Sequence, residues 1–136
     1  MNERIFLTEN DRDRLKGLTG ATPHALQAPA VASRLAEKLS SAETLPREKI
    51  AKSVVTMNSR VRLRDLDSNR ETEVTIAYPH EADARKGRIS VVSEIGVALL
   101  GAREKDVVSW KTPKGMGRFE ITEVTYQPEA AGDYDL

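Results

Sequence analysis

The chain contains no cysteine, which excludes a disulfide framework and zinc-thiolate sites and is compatible with a reducing cytosol. Aromatic residues are scarce: one tryptophan, three tyrosines and two phenylalanines in 136 residues. They do not interleave with basic residues, so a base-stacking platform for nucleic acid is not expected. Net charge is absent too, because 21 Lys and Arg balance 21 Asp and Glu. The long-range field that draws proteins to nucleic acid or anionic membranes is therefore missing. No apolar run approaches the roughly 18 residues that suggest a membrane span. Met1 to Leu7 runs into the charged stretch Glu9–Arg14 before a signal-peptide core develops. A folded cytoplasmic protein, with no membrane contact and no direct nucleic-acid contact, is expected.

What is present divides by period. Thr8 followed by Asp11 has the form of a helix N-cap with an acidic N3 residue, and Leu15 and Leu18 supply a narrow stripe before Gly20. Val31, Leu35 and Leu39 recur every four residues and mark a second helix ending near Ala42. The pair reads as a short antiparallel hairpin with arms of about 15 to 20 Å at ~1.5 Å per residue. Pro46 and the charged run Arg47–Lys52 make a hinge-like connection, so the expected organisation is a hairpin and linker over 1–52 and a second unit over 53–136. The halves should be separable, since short isolated helices are marginal in water.

Beyond the hinge the period is two. Val54–Met57 and Val61/Leu63 read as a strand pair, followed by a turn at Asp67–Arg70, a strand over Thr72–Tyr78 and a short strand over Arg88–Val92. Ser93 is an N-cap candidate for a helix closed by Gly101, and Val107–Thr112 should pair with Phe119–Tyr126 across 113–117. The class is α+β, an antiparallel sheet with one helix.

Three stretches carry a resemblance. Val54-Val55-Thr56-Met57-Asn58-Ser59-Arg60-Val61, then Ser93-Glu94-Ile95-Gly96-Val97-Ala98-Leu99-Leu100-Gly101 with Pro113 and Gly115, and finally Tyr126-Gln127-Pro128-Glu129-Ala130-Ala131-Gly132-Asp133-Tyr134, together resemble the Rnk/Gre family of nucleoside diphosphate kinase regulators and transcript cleavage factors. The resemblance implies an FKBP-like α+β domain after a short coiled coil. It also implies docking at the mouth of the RNA polymerase secondary channel through Ile89, Ser90, Val92, Ser93, Glu94, Ile95 and Gly96. Competition with Gre factors, and an indirect effect on the kinase, would follow. Gre sequences usually carry Pro where this chain has Glu94 or Ile95, and Gly where it has Lys105. The latter should change only a turn, because Lys fits most turn positions that do not require positive φ. The enzymatic alternative is a peptidyl-prolyl isomerase on the FKBP-like fold; scattered aromatics speak against it.

The remaining chemistry is sparse. Gre-type cleavage stimulation needs carboxylates at a hairpin tip to hold Mg²⁺, yet Gly17 to Pro29 carries no acid. Glu9 and Asp11 read as first-turn acids favoured by the helix dipole, and His24 and His80 as surface residues. Lys114-Gly115-Met116-Gly117 is a hairpin turn, lacking the helix of a phosphate loop. Arg60, Arg62 and Arg64 share one strand face, either balanced by acids such as Glu71 and Glu73 or offered to an acidic partner. Ile95 opens a helix where a polar residue is usual, which suits a staple or an interface anchor. Trp110 and Tyr126 read as core. No cofactor or metal is expected, no enzymatic activity, and a monomer.

Overall fold

A computed structural model describes residues 5–19 and 29–134; most of the expected hairpin tip, with His24, lies outside the described residues. The chain begins with β1 (Phe6–Thr8) and α1 (Glu9–Lys16), and continues with α2 (Pro29–Ser41) and β2 (Glu43–Leu45). Thr8 caps α1 as its pattern required, its hydroxyl accepting the Asp11 N–H at 3.0 Å. β1 and β2 form a parallel pair with Leu7 opposite Thr44. Three-residue strands carry too little periodicity to be seen in sequence, and neither was expected.

The main sheet comprises β3 (Arg60–Asp65), β4 (Glu71–Ala77), β5 (Arg88–Ser90), β6 (Val107–Thr112) and β7 (Gly115–Tyr126), in the order β5-β4-β3-β7-β6. A helix α3 (Glu94–Leu99) follows β5, and a short α4 (Pro128–Ala131) follows β7. The class is α+β as the pattern indicated, but the sheet is not wholly antiparallel, because β5 pairs parallel to β4 after a crossover through residues 78–87. Register shifts in the β3–β7 ladder, between Arg60 and Val61 and between Arg62 and Leu63, bend the long strand.

The expected strand at Val54–Met57 is replaced by irregular chain. Its links include one antiparallel bridge from Val54 to Arg103, a Val55 N–H bond to the Ala102 carbonyl at 2.8 Å answered by a Gly101 N–H bond to the Val55 carbonyl at 2.9 Å, and a Thr56 N–H bond to Ser59 Oγ at 2.9 Å. Val54, Val55 and Met57 are all fully buried. The apolar run therefore reported burial, which short runs signal whether or not they pair as strands. The β6–β7 hairpin turns on Pro113–Lys114 alone, with Thr112 opposite Gly115, so β7 starts earlier than expected.

Lys105 occupies a left-handed position, at φ 77°. Its N–H bonds the Ile121 carbonyl at 2.7 Å, which pins the turn there. The expectation of an ordinary turn residue is thus overturned, since a side chain at positive φ is strained. Tyr126 is likewise only half-buried, and its hydroxyl bonds Asp133 at the surface. Trp110 is buried as expected, stacked on Phe119 with ring centroids 3.9 Å apart.

One apolar cluster runs through the molecule. Leu7, Leu15, Leu35 and Leu39 from the first part pack in it with Met57, Ile76, Tyr78, Leu99, Leu100 and Ile121 from the second. At Gly101, φ is 81° and an added Cβ would lie 2.3 Å from Ile5 Cγ2, so the N-terminal strand rests directly on the exit of α3.

Candidate partner-binding surface

The segment from Ile89 to Gly96 links the edge strand β5 to α3 through a tight turn. Ser90 Oγ accepts the Val92 N–H at 3.0 Å, and the Ser93 hydroxyl donates to the Ser90 carbonyl at 2.6 Å. Ser93 Oγ in turn accepts the Gly96 N–H at 3.0 Å, making Ser93 the N-cap that its sequence position indicated. The turn folds back so closely that a Cβ on Gly96 would meet the Ser90 carbonyl oxygen at 2.2 Å and Val91 Cα at 2.7 Å. Only glycine fits there.

Val91 points into the core and is fully buried, whereas Ile89, Ser90, Val92, Ser93, Glu94 and Ile95 are all partly exposed. Ile95 and Val92 lean on the core with part of each side chain outside. Glu94 pairs with Arg34 of α2 at 2.8 Å. Beside this segment a groove of about 530 Å³ lies between α2, α3 and the β6–β7 hairpin, lined among others by Lys38, Glu94, Ala98, Trp110 and Met116. Met116 is 67% exposed at its rim.

Lys38 is the residue here that sequence reasoning missed. It lies three residues beyond Leu35 and seven beyond Val31, which places it in the apolar seam of α2; a lysine at that position was the available signal. Its ammonium reaches the carbonyl oxygens of Val97 at 2.5 Å and Leu100 at 2.7 Å. Burial lowers its pKa from the usual lysine value to about 8.

The three arginines are not brought to this surface. Val61 and Leu63 face the core from β3, so Arg60, Arg62 and Arg64 project from the opposite face of the sheet. There Arg62 lies opposite Glu73 on β4 and Glu123 on β7, bonding the latter at 3.2 Å, and Arg64 reaches Glu120 at 2.5 Å. Of the two readings, balance by neighbouring acids fits this ladder.

Asp11, read from sequence as a first-turn acid, is buried, and its Oδ2 accepts the Met57 N–H at 3.1 Å. Burial, with Glu129 nearby, raises its pKa to about 7. The Tyr78 hydroxyl is buried without a hydrogen-bond partner among the described residues, and desolvation with Asp11 close by raises its pKa well above the phenolic value. Among the described residues no group of His, Asp and Glu is placed to hold a metal ion. Nor is any helix among them long and apolar enough to cross a membrane.

Residues 50–126 match the family model described as transcription elongation factor GreA/GreB, C-terminal. Over 133 residues the chain is 35% identical to the regulator of nucleoside diphosphate kinase of Escherichia coli K12, covering 97% of this chain and 96% of that protein. Over 91 residues it is 40% identical to transcription elongation factor GreA of Clostridioides difficile strain 630, covering 67% of this chain and 57% of that one. Among solved structures, a GreA/GreB transcription elongation factor from Nitrosomonas europaea superposes with a TM-score of 0.77 at 35% identity, covering 92% of this chain and all of the other. With nearly its whole length matched at this identity and residues 50–126 matched by the family model, the chain belongs to the family of nucleoside diphosphate kinase regulators that carry the GreA/GreB C-terminal domain.

Proposed function

We propose that this protein is a transcription regulator that binds RNA polymerase at the rim of its secondary channel through residues 89–96, excluding Gre factors without stimulating transcript cleavage. In this reading the sheet domain is FKBP-like, the two N-terminal helices form a short coiled coil, and any effect on nucleoside diphosphate kinase is indirect. The observation that carries the proposal is the build of the Ser90–Gly96 turn. Three hydrogen bonds and a glycine with no room for a Cβ fix its backbone, while Glu94 and Ile95 stay accessible at its crest. A rigid turn presenting the partly exposed Ile95 loses little conformational freedom on docking, which favours an interface anchor.

Inactivity in cleavage follows from reach and charge. At ~1.5 Å per residue, the eight residues of α1 and thirteen of α2 give arms of about 12 and 20 Å. The connecting sequence has no carboxylate to offer a catalytic Mg²⁺. The stripe of Arg60, Arg62 and Arg64 plays a lesser part in this reading, since its charges are already matched on the sheet.

The experiment is retention on immobilised core RNA polymerase. Ile95→Asp should weaken binding by about 10- to 100-fold, the effect of spoiling an interface anchor, with circular dichroism unchanged. Arg62→Ala should bind like the parent chain. Full affinity in a folded Ile95→Asp protein would reject the segment as the docking site.

A further inference from the structure

We infer that helix α2 sets the geometry of the docking helix α3 by holding both its ends, with Lys38 as the positioning residue at the C-terminal end. The inference rests on the docking reading above and adds that the N-terminal part of the chain controls the docking element.

Helix α3 is only six residues long. A helix this short has no stability of its own in water and takes its geometry from its neighbours. Its last carbonyls have no partner within the helix, and Lys38 supplies one. Its Nζ lies 2.5 Å from the Val97 oxygen, 2.7 Å from Leu100 and 3.4 Å from Ala98. An ammonium has three donors, and its positive charge meets the negative end of the peptide dipoles. At the other end, Arg34, one turn earlier on α2, pairs with Glu94 in the first turn of α3 at 2.8 Å. The two contacts lie about one helical turn apart on α2, so a rotation or shift of α2 moves Ser93–Gly96 with it.

The lysine is committed to this task. The charged groups lining the groove with Lys38 are Arg34 and Glu37 from α2, Glu94 from α3 and Lys111 from β6. None of the ion pairs among the described residues involves Lys38, and Glu94 is engaged by Arg34. Desolvation of the ammonium lowers its pKa to about 8, so deprotonation near that pH removes one donor and the charge from the cap.

Carbonyl-carbon and amide NMR shifts of Val97 to Leu100, followed from pH 6.5 to 9, test the clamp in the free protein. They should titrate with a midpoint near 8 in the parent chain and stay flat in Lys38→Met, which keeps the aliphatic stem. Persistence of that titration in Lys38→Met, or Val97 to Leu100 shifts at pH 6.5 that are identical in the two chains, overturns the clamp. Binding to core RNA polymerase at pH 7 should fall by about 3- to 30-fold in Lys38→Met, the range expected for a charge capping a partly buried helix end. Between pH 7 and 8.5 the parent chain should lose affinity relative to Lys38→Met. Equal affinities of the two chains across that range overturn control of docking by Lys38. A normal titration together with full binding by Ile95→Asp would leave the clamp standing and reject the docking reading instead.

Discussion

The carboxylate of Asp11 on α1 accepts the backbone N–H of Met57 across 46 residues of sequence, at 3.1 Å and out of contact with water. This bond ties the first helix to the entrance of the sheet, and the price is a carboxyl group held where its charge is poorly solvated. Because the folded-state pKa is raised from 3.8 to about 7, folding favours the protonated form. The stabilisation from this group is fully present below about pH 4 and is lost as pH rises through about 7. Stability against urea should therefore fall between about pH 4 and 7 and level off above, with an upper limit of roughly 4 kcal/mol at about 1.4 kcal/mol per unit. Asp11→Asn retains an acceptor oxygen for Met57 and cannot ionise; it should flatten that slope and be the more stable chain at pH 8. An unchanged slope in the variant would assign the pH dependence elsewhere.

Lys105→Gly should stabilise the protein. At φ 77° the lysine is strained, and glycine removes a penalty of about 1 to 2 kcal/mol while adding back part of it as unfolded-state entropy. A net gain of about 1 kcal/mol in urea unfolding is expected. Destabilisation would mean that the Lys105 side chain makes a contact worth more than its strain.

A chain beginning at Ser53 should retain the sheet and a cooperative transition, as the sequence expectation of two separable units requires. Its midpoint should lie well below that of the whole protein. It loses Leu7, Leu15, Leu35 and Leu39 from the shared cluster, the Asp11 bond to Met57 and the Lys38 cap on α3. A molten, non-cooperative fragment would show that the helices belong to the core of the sheet unit, and equal stability of fragment and whole would contradict the continuous core.

The features legible in sequence were those that depend on near neighbours. The caps at Thr8 and Ser93 need only a residue three positions on, and the alternation of Arg60 to Arg64 needs only the strand period. Those that failed depend on distant chain. Val54–Met57 has the composition of a strand, but its pairing with Gly101–Arg103 ends after a single bridge, because the Thr56 and Met57 N–H groups bond the side chains of Ser59 and Asp11. The roles of Asp11 and Lys38 are fixed by Met57 and by Val97 and Leu100, 46 and about 60 residues away. A lysine in an apolar seam hinted at the second; nothing local distinguished the first from any other first-turn acid. The resemblance located the Ser90–Gly96 segment, while the reason glycine is required at its end came only from the 2.2 Å approach of the Ser90 carbonyl.

Competition on a stalled elongation complex tests the proposed function most directly. A backtracked polymerase is given this protein alone and then together with a Gre factor, while transcript shortening is followed. This protein alone should leave the transcript intact, and at saturation it should suppress shortening by the Gre factor, with Ile95→Asp failing to do so. Shortening by this protein alone, or undiminished Gre activity at saturating protein, would contradict the proposal.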